Sequence, residues 1–176
     1  MGIRYYAYAF DADATQAVLA DPRAYISADP LADAWGFSPG SMVAVTDFRQ
    51  GPAEEDMLYL DKAWRNLQLM TAPSDPTDDP RPAYRMFEGN VTPLGNWESW
   101  LPWVRAIPPE DVAPIADDLD TLTRADFVPW LPPRQGDESG EGEEAEAEYV
   151  DHHVKRARRF LRGLEASGRG FAYLIG

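Results

Sequence analysis

Between residues 150 and 164, apolar side chains recur at alternating four- and three-residue steps: Val150, Val154, Ala157, Leu161 and Leu164. That spacing lines all five along one stripe of an α-helix, the pattern of a helix laid against a core. Gly168 and Gly170 end it, and "FAYLIG" closes the chain as an apolar strand. The other terminus answers in kind. Residues 3–10, "IRYYAYAF", carry apolar groups on both alternating faces, which reads as a buried strand. With no repeat and no linker between these ends, residues 1–176 are expected to form one α+β domain. Its small mixed sheet should include the N- and C-terminal strands and pack against several helices.

The middle of the chain is less legible. "DADATQAVLADP" predicts a short helix stopped by Pro22. From 22 to 56, Pro22, Pro30, Pro39 and Pro52 break any period, and "SMVAVTDF" is the one strand candidate. In "LYLDKAWRNLQLM", Leu60, Ala63, Trp64 and Leu67 fall on one helical stripe and Leu69 on the opposite side, predicting a helix buried on two sides. "AYRMFEG" and "WVRAI" read as short strands. "PPEDVAPIADDLDTL" starts a helix at Pro109 that Pro114 should kink or shorten, and "TRADFVPWL" adds a helical turn or two.

The net charge is −14, and residues 137–148, "DESGEGEEAEAE", supply seven acidic side chains and no basic one. The stretch 135–147 is therefore expected to be a mobile acidic loop. A negative field repels phosphate, so neither nucleic acid nor an anionic membrane is expected as a partner, whereas a basic protein would be attracted. No apolar run approaches the ~18 residues of a membrane span. The N-terminus lacks the basic and apolar segments of a signal peptide, so the expected location is the cytoplasm. With no cysteine in the chain, thiol catalysis, disulfides and cysteine metal sites are excluded.

One string looks catalytic. "GFSPG", residues 36–40, satisfies the G-x-S-x-G pattern of a hydrolase nucleophile elbow at Ser38. The elbow needs a strand before the serine, and the residue after it must donate a backbone N–H to the oxyanion; Pro39 has none. The string is read as a turn. His152 and His153 diverge by about 100° around a helix, so they do not grip one metal together, and Glu148 with His152 gives two ligands of the four zinc normally takes. No metal or cofactor is expected. Lys155, Arg158, Arg159 and Arg162 form a basic helix face, read as solvated and partly neutralised by the acidic stretch. Trp97, Trp100 and Trp103 crowd seven residues; core and turn packing is the first reading, a recognition surface the second.

"MGIRYYAYAFDADATQAVLADP", the Asp61-Lys62-Ala63-Trp64 segment and the closing "YVDHHVKRARRFLRGLEASGRGFAYLIG" together resemble the YfbM-like family, small bacterial proteins of unknown function; "VRAIPPEDV" is a weaker fourth block. The resemblance implies the α+β fold and carries no catalytic residue. Asp61 has a plain structural explanation as an N-cap or as a partner of Arg65, and Trp64 as a core anchor. If the fold holds a pocket, Asp61, Trp64 and Arg105 are the binding candidates. Two functions follow as expectations: a non-catalytic, acidic interaction protein of the inhibitor or immunity type, with a basic protein partner; or a small-molecule binder or enzyme with a cleft near those three residues.

Overall fold

The computed structural model describes residues 2–37, 49–73, 75, 77–95, 99–127, 129, 131 and 141–176. Its centre is β1 (Tyr5–Phe10), hydrogen-bonded along both edges: to β2 (Met57–Asp61) on one side and to β6 (Gly170–Ile175) on the other. β5 (Trp103–Ile107) completes the sheet beyond β6, giving the order β2-β1-β6-β5. The two ends of the chain are locked together, because Arg4 and Gly176 exchange backbone hydrogen bonds of 2.9 Å in both directions.

All three pairings are antiparallel, where a mixed sheet was expected. The reason lies in the connection from β5 to β6. It contains two long helices, α5 (Pro109–Thr121) and α7 (Glu141–Ser167). They run in opposite directions: Arg158 of α7 reaches the carbonyls of Leu119 and Leu122, while Arg162, one turn on, reaches back to Asp117. A single crossover helix would return the chain parallel; two return it antiparallel.

Alternation along the strands buries both faces of the sheet. Tyr5, Ala7, Leu58, Leu60, Ile107, Phe171 and Tyr173 face the main core, with Val112, Ile115 and Leu119 of α5 and all five stripe residues of α7. Tyr6, Phe10, Met57, Tyr59, Ala106, Ala172 and Leu174 face a smaller core. There they meet Val18 of α1 (Thr15–Ala20), Ile26, and Ala34 of α2 (Pro30–Trp35). The expected α+β domain, with the terminal strands in its sheet, is the one observed.

Several local expectations change. "LYLDKAWRNLQLM" is a strand followed by α3 (Trp64–Thr71), because the Leu60–Trp64 spacing that mimics a helical stripe spans a strand end and a turn. Leu69 is 43% exposed, so α3 is buried on one side only. "AYRMFEG" holds α4 (Tyr84–Phe87), not a strand. Pro114 sits inside α5, which continues through it to Thr121. α6 (Arg124–Phe127) is one helical turn within "TRADFVPWL", where a turn or two was expected.

The acidic stretch also divides. Residues 141–147 form the first turns of α7, with Ala147 buried at the head of the apolar stripe and Glu144 paired to Arg124. Low hydrophobicity suggested disorder there, but alternating Glu and Ala have high helix propensity and extend a helix already anchored by packing. Residues 135–140, Ser38, Trp97 and the "SMVAVTDF" strand candidate lie outside the described residues.

Trp64, 8% exposed, belongs to the main core beside Leu67 and Phe87. Trp64→Ala should cost about 3–5 kcal/mol of a typical total of ~5–15 kcal/mol. Trp100→Ala, at a half-buried position on a two-residue strand, should cost distinctly less. Urea denaturation of the two variants beside the native chain measures both.

Candidate functional site

At the β2 edge of the sheet the two helical layers part, leaving a cleft of about 740 Å³. Three elements build it, together with the segment 49–54 that leads into β2. The first is α2, whose ends are chemically marked: Asp29 accepts the Ala32 N–H at 3.0 Å as N-cap, Pro30 opens the helix, and Gly36 stops it at φ 69°. That glycine is the first of the G-x-S-x-G string, so the segment before Ser38 is a helix with its C-cap and not the strand an elbow requires. Tyr8 donates to Asp33 at 2.8 Å and ties α2 to the sheet. Trp35, the last residue of α2, lies 5.4 Å from the Arg4 guanidinium and forms one wall.

β2 supplies the floor. Asp61, at its end, is the one non-glycine among the described residues with positive φ (46°), and it turns the chain from strand toward α3. Its carboxylate accepts from three elements: Arg4 Nε at 2.9 Å, the Tyr59 hydroxyl at 2.9 Å and the Tyr149 hydroxyl at 3.1 Å. Such a residue in a sparsely populated backbone region persists because its surroundings over-determine it, and here three donors do so. Neither the N-cap role nor the Arg65 pair foreseen for Asp61 occurs; the donors come from β2, α7 and the segment before β1.

The third wall is α7. Tyr149, His153 and Arg156 lie at i, i+4 and i+7, on one face. The His153 ring packs edge-on against Tyr149 at 4.7 Å between centroids, and His153 is 6% exposed while His152 stays in solvent. Arg156 donates to the Tyr59 carbonyl at 3.2 Å and to Gln50 Oε1 at 3.0 Å, and Gln50 in turn donates to the Met57 carbonyl at 2.9 Å. Among the described residues no strand pairs with the outer edge of β2, and side chains of Gln50 and Arg156 satisfy carbonyls there.

Burial, and then its bond to Asp61, pushes the Tyr59 phenol well above its ordinary pKa; the same causes hold Tyr149 at about 12. Burial, reinforced by the nearby charges of His152 and Arg156, lowers His153 from 6.5 to about 4. At neutral pH the cleft therefore presents the Tyr59 phenol, whose proton is committed to Asp61, a neutral imidazole, an oriented carboxylate and a guanidinium. These polar groups are held in place by hydrogen bonds and packing. Among the described residues no group of three His, Asp or Glu side chains is placed to hold a metal ion.

The three residues singled out from the sequence do not converge. Asp61 lines the cleft; Trp64 lines a separate groove of about 450 Å³ with Lys62 and Arg65. Arg105 is on β5, at the opposite edge of the sheet, about 14 Å away at three strand spacings, and pairs with Glu88. What the sequence reading missed is Trp35, Gln50, Tyr59 and Arg156. The Asp29-Pro30 start and Gly36 stop of α2 were readable signals; the convergence of β2 with α7 was not, because those segments are some ninety residues apart. The basic face of α7 is solvated at Lys155 and Arg159, while its other two residues are neutralised by α5 and not by the acidic stretch. Arg162 pairs with Asp117 and Asp120 of α5 at 2.8 and 2.6 Å, and Arg158 caps the last carbonyls of α5.

A buried neutral His153 makes stability depend on pH. Its folded-state pKa lies below the unfolded value, so the unfolded chain takes up the proton first as pH falls. The contribution is fully present above about pH 6.5 and is lost as pH falls toward 4. The full interval corresponds to about 3 kcal/mol. His153→Leu should flatten the decline between pH 6.5 and 4; guanidinium chloride unfolding of both proteins across that range measures the difference in slope.

No protein-family model and no curated protein matches the chain. Among solved structures it is similar to the crystal structure of YfbM from Escherichia coli, a protein of unknown function. That likeness covers 99% of this chain and 100% of the other, with a TM-score of 0.55 and 15% sequence identity. No helix among the described residues is long and apolar enough to cross a membrane. The arrangement of sheet and helices described above is the YfbM fold, as the resemblance in the sequence implied.

Proposed function

We propose that the protein binds a small polar molecule in the cleft between α2, β2 and α7. The observation that supports this most directly is the convergence there of Trp35, Tyr59, Asp61, His153 and Arg156, held by hydrogen bonds and packing from separate parts of the chain. Ligand sites combine aromatic walls with a few fixed polar groups in a volume of ~300–1,000 Å³, and the cleft has both features. Asp61 orients the phenols and Arg4; Trp35 offers a flat apolar surface for a ring or chain.

Ala53 lines the cleft with an exposed side chain, so Ala53→Trp should fill it with little cost to the core. A ligand at about one hundred times its Kd stabilises a protein by about 2.7 kcal/mol, equivalent to roughly 5–10 °C for a chain of this size. A thermal-shift series of sugars, nucleosides, amino acids and organic acids should contain a compound that raises the native midpoint by that amount and leaves Ala53→Trp unmoved. Equal shifts in both proteins would place the site elsewhere.

A second reading, an acidic interaction protein with a basic protein partner, draws support from two features. Described arginines are largely consumed by internal ion pairs, so the surplus of acidic groups faces solvent. The ribbon of β3 (Thr92–Pro93) and β4 (Trp100–Leu101) also carries Leu94 and Leu101, 44% and 55% exposed. A basic partner held this way should be retained on the immobilised protein at 50 mM salt and released near 1 M; no retention at either salt counts against it.

A further inference from the structure

Arg156 is set apart from the other arginines. Among the described residues, the half-buried arginines are Arg4, Arg81, Arg85, Arg105, Arg156, Arg158, Arg162 and Arg169. Seven of them have a carboxylate within ion-pair distance. Arg156 has none, in a chain with 30 acidic residues and 16 basic ones. Its guanidinium is instead oriented by two neutral acceptors, the Tyr59 carbonyl and Gln50 Oε1, which occupy two of its five N–H donors. No carboxylate among the described residues makes an ion pair with this partly desolvated cation; Glu54 acts on it only through space, and the remaining fork suits a planar or tetrahedral oxyanion.

No carboxylate described on the cleft wall is hydrogen-bonded to that guanidinium; Glu54 acts on it only through space. Asp61 is engaged by Arg4, and Glu54 stands 4.0 Å from Arg159. We propose that Arg156 is the recognition point for an oxyanion, a carboxylate or a phosphate, carried by the ligand of this cleft. The inference rests on the cleft being a ligand site. It adds that the ligand is anionic, against the net charge of the whole chain, so selectivity comes from a local cationic pocket in an otherwise repelling field. The competing explanation is that Arg156 serves only to cover the edge of β2, in which case its loss changes stability and no affinity.

The test is isothermal titration of inorganic phosphate and of succinate into the full chain at pH 7, with ionic strength held constant by sodium chloride. One of the two should bind saturably, and which one does so distinguishes phosphate from carboxylate ligands. Arg156→Gln should weaken that binding by at least about tenfold, the loss expected for a charge-assisted hydrogen bond. Arg65→Gln, which removes an exposed charge beside the other groove, should leave it unchanged. Ala53→Glu places a carboxylate at the cleft without touching Arg156 and should also weaken binding; it keeps the test decisive if Arg156→Gln is poorly folded. Absence of binding by both anions, or equal affinity in native, Arg156→Gln and Ala53→Glu proteins, overturns the proposal. If a neutral compound is excluded by Ala53→Trp while neither anion binds, the anion assignment fails and the cleft reading stands.

Discussion

The structure depends on a strand with no free edge. β1 is paired to β2 and to β6, and its alternate residues enter both cores. A strand buried on both faces must be apolar at nearly every position, which is why six residues from Tyr5 to Phe10 include no charged side chain. Because β6 is the C-terminal strand, this pairing also closes the chain on itself. Helices α5 and α7 cover one face of this sheet, and α1 with α2 the other.

Sheets end somewhere, and the β2 end is where this one acquires polar chemistry. Among the described residues no strand pairs with the outer edge of β2, and Gln50 and Arg156 satisfy its carbonyls from outside the sheet. The cleft follows from that arrangement: α2 and α7 belong to different layers and diverge at the edge, with Asp61 between them. Its carboxylate draws Arg4, Tyr59 and Tyr149 together, so the same group that shapes the strand end also orients the cleft's donors.

Ion pairs elsewhere have a different role. The "DDLD" run of α5 holds neighbouring elements: Asp118 takes a two-point contact from Arg81 and the Ala83 N–H, while Asp117 and Asp120 hold Arg162. Singly, exposed pairs are worth little, and their value here lies in fixing α7 against α5. Arg158 and Arg162 of that basic face are thereby occupied, and of the half-buried arginines among the described residues the one outside any ion pair, Arg156, lies beside the cleft.

Sequence alone determined the elements whose period is local. The α7 stripe, both terminal strands, "WVRAI" and the Pro109 helix start were legible because each signal is contained within a few turns or one strand. It also exposed Ser38 as a false match, since Pro39 lacks the required N–H whatever the fold. Only tertiary structure decided that residues 58–61 are strand. Their apolar spacing fits a helix equally well, and pairing with β1 settles the matter. It likewise decided the candidate site. Asp61 was picked out from the sequence, but Trp64 and Arg105 were drawn elsewhere, and the partners that Asp61 gains, Arg4 and Tyr149, come from opposite ends of the chain. Periodicity reports which side of an element is buried; only the packing of distant elements reports which polar groups meet there.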